Sequence, residues 1–263
     1  MGENRKKGGN IMNDVLEQIK SRKSMRVFEN KPIAEEIKKE IINAAFEAPT
    51  AGAMMLYSIL DITDEVLKEK LAVTCDNQPF IAKAPLVLIF LADYQRWYDA
   101  FCYGDCNPRK PGEGDILLAC ADAIIAAQNT VAAAESLGIG SCYIGDILEN
   151  CETVRNLLEL PDYVLPAAML VYGYPVEAQK GRRKPVRFEK QYIVFENKYH
   201  RLTKEEHVEM NRTRNQKTGL ADKNINENIR AICNRKYMSY FSLEMNRSAA
   251  EYLKKFRSII MQK

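Results

Sequence analysis

The 263-residue chain carries 38 Lys+Arg against 35 Asp+Glu and is 46% hydrophobic, the balance of a soluble globular protein long enough to bury a large core. That near-neutral charge gives little support to nucleic-acid binding. Seven cysteines at irregular spacing do not read as a secreted disulfide framework. The opening MGENRKKGGN is polar and basic, unlike a secretory signal, and the longest apolar run, 84–92, is too short to span a bilayer. The expectation is a cytoplasmic protein with no membrane segment.

Residues 1–12 are expected to be a flexible tail. A short helix then covers 14–21, opened by Asn13 or Asp14, and Pro32 is placed at the first turn of a second helix whose Ile37, Ile41, Ile42, Ala45 and Phe46 keep amphipathic spacing. Ala48-Pro49-Thr50-Ala51-Gly52 ends it, because proline disfavours helix in its predecessor and glycine tolerates positive φ. A strand over 57–62 and a helix over 64–73 lead to LVLIFLA, a continuous apolar strand suited to a sheet covered on both faces. Residues 94–114 read as an irregular segment, aromatic first (Tyr94, Trp97, Tyr98, Phe101, Tyr103), which is either a lid or surface packing.

The Ala-rich stretch 115–137 is the longest predicted helix, placed at the core or at a subunit interface. Gly138-Ile139-Gly140 breaks it, SCYIG forms a short strand or turn, a helix follows over 151–158, and a strand over 166–172 closes with GYP. Interleaved strands and helices argue for a layered α/β or α+β fold. The texture changes near residue 204, where 13 Lys+Arg face 7 Asp+Glu to the end of the chain. This divides the chain into a 1–12 tail, a 13–203 domain and a basic helical extension at 204–263. The extension closes in an amphipathic helix whose Phe241, Met245, Ala249 and Tyr252 share a face suited to docking on the body or on a partner.

Three cations and a hydroxyl are packed into Arg22-Lys23-Ser24-Met25-Arg26, and a second basic cluster, Arg182-Arg183-Lys184, lies far along the chain. Guanidinium groups grip phosphate through paired hydrogen bonds; each cluster alone reads more often as a solvated charged surface, and together the two could clamp one phosphate. Cys102 and Cys106 lack a zinc spacing and have no histidine nearby, since only His200 and His207 exist, so no metal site is expected. Gly138-Ile139-Gly140 runs from helix to strand and is not a dinucleotide fingerprint.

SRKSMRVFENKPI followed by AAFEAPTAG, then AAQNTVAAAESLGIGSCYIG, then GYP before a basic Arg-x-Pro segment, resembles the FMN-dependent nitroreductase family over about residues 13–200. The resemblance implies an α+β layered fold, a central mostly antiparallel sheet flanked by helices, in an intertwined homodimer. It implies that Arg22, Lys23, Ser24 and Arg26 bind the FMN phosphate and ribityl chain, joined by Arg183, with Lys184 the neighbouring possibility. Pro49, Thr50, Ala51 and Gly52 would be the loop that covers the flavin from the second subunit; Asn77 and Gln78 would meet the ribityl chain or pyrimidine edge. Tyr143, Ile144 and Gly145 would form the turn against the ring, with main-chain donors tuning its potential.

NAD(P)H would be the reductant, a nitroaromatic, quinone or similar flat molecule the acceptor, and the flavin rather than any side chain the catalyst. Ala53, Met54 and Met55 replace the polar residues common after the loop glycine. A non-catalytic flavin-binding or storage protein and a dehalogenating or flavin-fragmenting branch therefore stay open as alternatives.

Overall fold

The computed structural model describes residues 6–7, 10–11, 13–220 and 224–257. Residues 6–7 and 10–11 pair as a two-residue antiparallel ribbon; the flexible tail expected over 1–12 otherwise lies outside the described residues. Two compact units emerge, Met1–Arg182 with Glu244–Lys263, and Arg183–Leu243. The boundary expected at 203/204 thus falls elsewhere, and the reason lies in the packing of the last helix.

The first unit is built on one sheet. Its strands β1 (Tyr57–Asp61), β2 (Leu86–Asp93), β3 (Gly140–Ile144) and β4 (Val164–Gly173) run in the order β1-β2-β4-β3, every neighbouring pair antiparallel. All eight residues of β2 are buried, and their alternation explains why none is polar before Asp93. Leu86, Leu88 and Phe90 pack with Ile41 and Ala45 of α2 (Glu35–Phe46) and with Ala123 and Ala127 of α5 (Glu113–Ser136). Val87, Ile89 and Leu91 enter the opposite cluster with Leu71 and Ala72 of α3 (Glu65–Thr74) and Val154 of α6 (Cys151–Leu158). Strand periodicity of two places successive side chains on opposite faces, so a strand covered by helices twice must be apolar throughout.

By length and apolar content α5 matches a membrane-crossing helix. Its Ile116, Ala119, Ala123, Ala126, Ala127, Val131 and Ala134 are nevertheless buried in the core, where small side chains allow close approach to the sheet. Leu117, Leu118, Ile124 and Ile125 remain exposed on the same helix.

Two expectations change. Helix α2 starts at Glu35 with Ala34 still extended at ψ 146, so Pro32 precedes the helix instead of opening it. Part of the segment expected to be irregular is the helix α4 (Gln95–Tyr103). Trp97 and Phe101, one turn apart, have ring centroids 5.5 Å apart, and Tyr98 meets Tyr163 edge-on at 5.1 Å. Tertiary aromatic packing outweighs the modest helix propensity of these residues.

Helix α1 (Asp14–Ser21) is capped as expected by Asn13, whose side chain accepts from Leu16 N at 2.9 Å. Of the face foreseen on the last helix, α10 (Tyr240–Leu253), Tyr252 enters the core, while Phe241 is half-buried with its ring against Lys236. Tyr252 and Phe256 are each 1% exposed, in a cluster with Leu56, Ile116, Cys151, Tyr163 and Leu165. Helix α6 starts after Asn150, at φ 52, with no cap from that side chain. The cap comes from α10: Asn150 N donates to Glu244 Oε1 at 3.1 Å and Cys151 N to Ser248 Oγ at 2.9 Å. Arg247 closes the junction with two 2.8 Å bonds to Glu152. Residues 244–256 are therefore part of the first unit's core.

A four-residue helix, α7 (Glu177–Lys180), ends the first part of that unit. In the second unit α8 (Lys204–Thr218) opens on a capping box formed by Thr203 and Glu206 and stops at Gly219 with φ 75. Helix α9 (Ile225–Ile232) adjoins it, tied by a 2.7 Å bond from Asn228 Nδ2 to Asn215 Oδ1. Phe256→Ala is expected to lower the unfolding free energy by about 3–5 kcal/mol, read by urea denaturation; a change below about 1 kcal/mol would mean the tail is dispensable.

Candidate functional site

Helix α1 ends at Ser21, and the chain then runs extended along the open edge of the sheet. Met25 N donates to Ser141 O at 2.9 Å, Glu29 N donates to Tyr174 O at 2.8 Å, and Phe28 bridges to Pro175. Two glycines permit this course. A Cβ on Gly140 would sit 2.5 Å from Met25 Cγ, and one on Gly173 would sit 2.6 Å from Phe28 Cγ. Met25 and Phe28 thus lie in the space that side chains would fill, and the basic residues between and before them are laid beside β3.

The consequence is electrostatic. Burial pushes the Cys142 thiol up, opposed by the Arg26 charge, by a hydrogen bond with Ser24 and by Arg22. Burial also pushes the Tyr143 phenol up to about 12, opposed by Arg22. Arg22, Ser24 and Arg26 therefore gather around Cys142, and Arg22 also faces Tyr143. Arg22 Nε is buried with no hydrogen-bond partner, a state that costs free energy unless an acceptor arrives. Lys23 behaves differently: its ammonium donates to Arg182 O at 2.6 Å and to Lys180 O, so it fastens the end of α7. Arg183 and Lys184 open the second unit, where Arg183 Nη2 donates to Lys217 O at 2.8 Å.

Gln78 reaches the turn that follows β3. Its Nε2 donates to Asp146 Oδ2 at 2.8 Å and to Cys75 O at 2.9 Å. Ile144 is buried in the core while Gly145 is exposed, and a Cβ on Gly145 would meet nothing within 4 Å. Asn77, at φ 50, lines a different recess of about 370 Å³ with Glu69, Val73 and Pro79. Under the turn Glu149 is only 4% exposed, and burial, followed by the Asp146 charge, pushes its carboxyl up to about 7. Asp76 and Glu244 face it as well.

The Pro49–Gly52 segment belongs to a strained loop. Gly52, Ala53 and Met55 have φ of 58, 56 and 50, a region that costs an L-residue about 1–2 kcal/mol. Asp122, 3% exposed on α5, accepts from Ala51 N at 2.9 Å and Leu56 N at 3.1 Å. Trp97 Nε1 donates to Met54 O at 2.7 Å, and Arg96 Nη1 donates to Met55 O at 3.2 Å. Asp122, Arg96 and Asp146 were not among the residues expected to matter, and Trp97 was expected only as part of an aromatic lid or surface. A carboxylate inside the apolar run ACADAIIAA was a readable signal for the first, since a buried charge needs donors.

Among the described residues no group of three or more His, Cys, Asp or Glu gathers as a metal site. Cys75, Cys142 and Cys151 are buried, while Cys102 and Cys106 are exposed.

The Nitroreductase family matches residues 19–174. An NADPH-dependent oxidoreductase of Staphylococcus aureus is 31% identical over 198 residues, covering 74% of this chain and 78% of that protein. Among solved structures, B. megaterium NfrA2 superposes with a TM-score of 0.78 at 29% identity, covering 94% of this chain and all of the other. The NADPH:FMN oxidoreductase of Vibrio harveyi, solved with NAD+, gives 0.70 at 27% identity, covering 84% and 97%. The sheet, its helical cover and the basic edge segment thus define an oxidoreductase scaffold. The chain belongs to the nitroreductase family.

Glu149 carries a pH signature. Its folded pKa of about 7 lies above the ordinary carboxylate value of 4.5, so between those values the unfolded chain releases a proton that the folded chain keeps, and stability falls as pH rises. Glu149→Gln is expected to melt several degrees above the wild type at pH 8, with the gap shrinking toward pH 4.5, as read by calorimetry. A gap independent of pH would contradict the assignment.

Proposed function

We propose that the protein is a homodimeric, FMN-dependent oxidoreductase that takes electrons from NAD(P)H and delivers them to a flat acceptor such as a nitroaromatic or a quinone. One observation carries the reading: Arg22, Ser24 and Arg26 are gathered beside Cys142, with Arg22 also facing Tyr143, and Arg22 Nε is buried without a partner. That donor set fits a phosphoryl group. The open space over Gly145 fits a flat ring laid against the turn. When bound, FMN supplies two-electron chemistry between NAD(P)H and the acceptor.

Each nearby residue then has a task. Arg22, Ser24 and Arg26 grip the phosphate, and Lys23 holds the segment in place through Lys180 O and Arg182 O. Gln78 fixes the Gly145 turn through Asp146. The loop holding Pro49, Thr50, Ala51 and Gly52 covers the ring of a neighbouring subunit. Its Gly52 and Ala53 are exposed in the single chain. The exposed Leu117, Leu118, Ile124 and Ile125 of α5, with Val15 and Ile19 of α1, supply apolar surface for that neighbour. The NADPH named for the relatives in S. aureus and V. harveyi supports the choice of reductant.

A second reading, flavin binding without turnover, is favoured by Ala53, Met54 and Met55, which place no polar side chain on the covering loop. An anaerobic visible spectrum separates the two. The purified protein is expected to be yellow and to bleach on adding NADPH or NADH, and Arg22→Ala with Arg26→Ala is expected to lose most of the flavin. A yellow protein that never bleaches would establish the second reading; full flavin occupancy in the double variant would remove the phosphate assignment.

A further inference from the structure

The loop at residues 50–56 is fastened at nearly every polar backbone atom, and the fastenings converge on one buried charge. Ala53 N donates to Thr50 O at 3.3 Å, Met54 N to Ala51 O at 3.0 Å, and Met55 N to Thr50 Oγ1 at 3.3 Å. These bonds lie inside the loop and would move with it. The two amides that tie it to the body are Ala51 N and Leu56 N, and both donate to the carboxylate of Asp122, one to each oxygen. Asp122 is 3% exposed in the middle of α5, among alanines that pack against the sheet. A charged group is costly to bury there, and its retention needs a return in hydrogen bonds.

Two L-residues and one glycine at positive φ lie between those anchors. Left alone, such a loop would relax, because strained backbone persists only where its surroundings over-determine it. From the other side Trp97 Nε1 holds Met54 O, and Arg96 holds Met55 O and, at 3.1 Å, Tyr57 O.

We infer that Asp122 is a positioning residue for the reaction. Its two oxygens span the ends of the strained loop and set where the wall formed by Ala51–Met54 stands over a neighbouring subunit's flavin, and so how the acceptor stacks. The inference rests on the flavin reading of the site given above. It separates two functions within one pocket. Arg22, Ser24 and Arg26 determine whether the cofactor stays, and Asp122 determines how well an acceptor is presented. Binding geometry of this kind shows in kcat/KM for the molecule being placed.

The test uses the full-length protein and its Asp122→Asn variant, which keeps the shape but turns one acceptor oxygen into a donor. Hydrogen exchange of the amides at 51 and 56 is expected to quicken at least about tenfold. The kcat/KM for a quinone is expected to fall about tenfold through KM, with FMN affinity held within about threefold. Ala53→Gly in the Asp122→Asn background is expected to recover part of the loss, because glycine removes the strain that the carboxylate holds. Unchanged exchange and unchanged KM in Asp122→Asn would overturn the inference, as would a loss of FMN affinity equal to the loss of kcat/KM, which marks a merely structural role. Where Asp122→Asn does not fold, Trp97→Phe removes the bond to Met54 O while keeping an aromatic ring beside Phe101; a raised quinone KM supports the inference and an unchanged one counts against it. A wild-type protein that takes up no FMN would sink the flavin reading, whereas a flavin-loaded wild type with an indifferent Asp122→Asn variant sinks this inference alone.

Discussion

The site depends on how closely one extended segment can approach the edge of a sheet. Gly140 on β3 and Gly173 at the end of β4 leave room for Met25 and Phe28, whose side chains would otherwise collide with a Cβ at 2.5 and 2.6 Å. With that room the main chain of Met25 bonds to Ser141 O, and the alternation of an extended chain carries Ser24 and Arg26 to their places beside Cys142. Backbone hydrogen bonds fix the segment, and the side chains between them inherit its position. A bulkier residue at either glycine would push the basic cluster away from the strand, whatever charges it kept.

A second constraint lies in the loop over residues 50–56. It is strained, with Gly52, Ala53 and Met55 all at positive φ, and Asp122, Trp97 and Arg96 fasten it. The residues that fasten it come from α5 and α4, two elements whose own positions are set by packing on the sheet. The turn at Gly145 is held by Gln78 through Asp146, and the cap that α10 gives to α6 begins one turn further along. Both candidate surfaces are therefore loops carried by rigid elements, the usual division of labour in a binding site.

Much of the architecture was readable in advance. LVLIFLA announced a strand buried on both faces because its side chains have no polar alternation, and of the face expected on the last helix Tyr252 is the residue that enters the core. Helix α4 was missed although Tyr94, Trp97, Tyr98 and Phe101 keep the spacing of one helix face, because the run of Gly, Pro and charge that follows drew the whole segment into an irregular reading. The extent of the last helix's role was hidden for another reason: that Glu244 and Ser248 cap α6 is a contact across more than ninety positions, and local sequence holds no trace of it. At the site, the cations at 22–26 were legible from composition and resemblance. That Lys23 is occupied by carbonyl oxygens while Arg22 keeps a buried, unpaired nitrogen required coordinates.

The most direct measurement compares the affinity of the flavin-free protein for FMN with its affinity for riboflavin, which lacks the phosphate. Charge-assisted hydrogen bonds contribute about 1.5–3 kcal/mol each, so a grip formed by Arg22, Ser24 and Arg26 predicts FMN binding at least about a hundredfold tighter. Equal affinities for the two would contradict the account, because the basic segment laid along β3 would then hold no phosphoryl group.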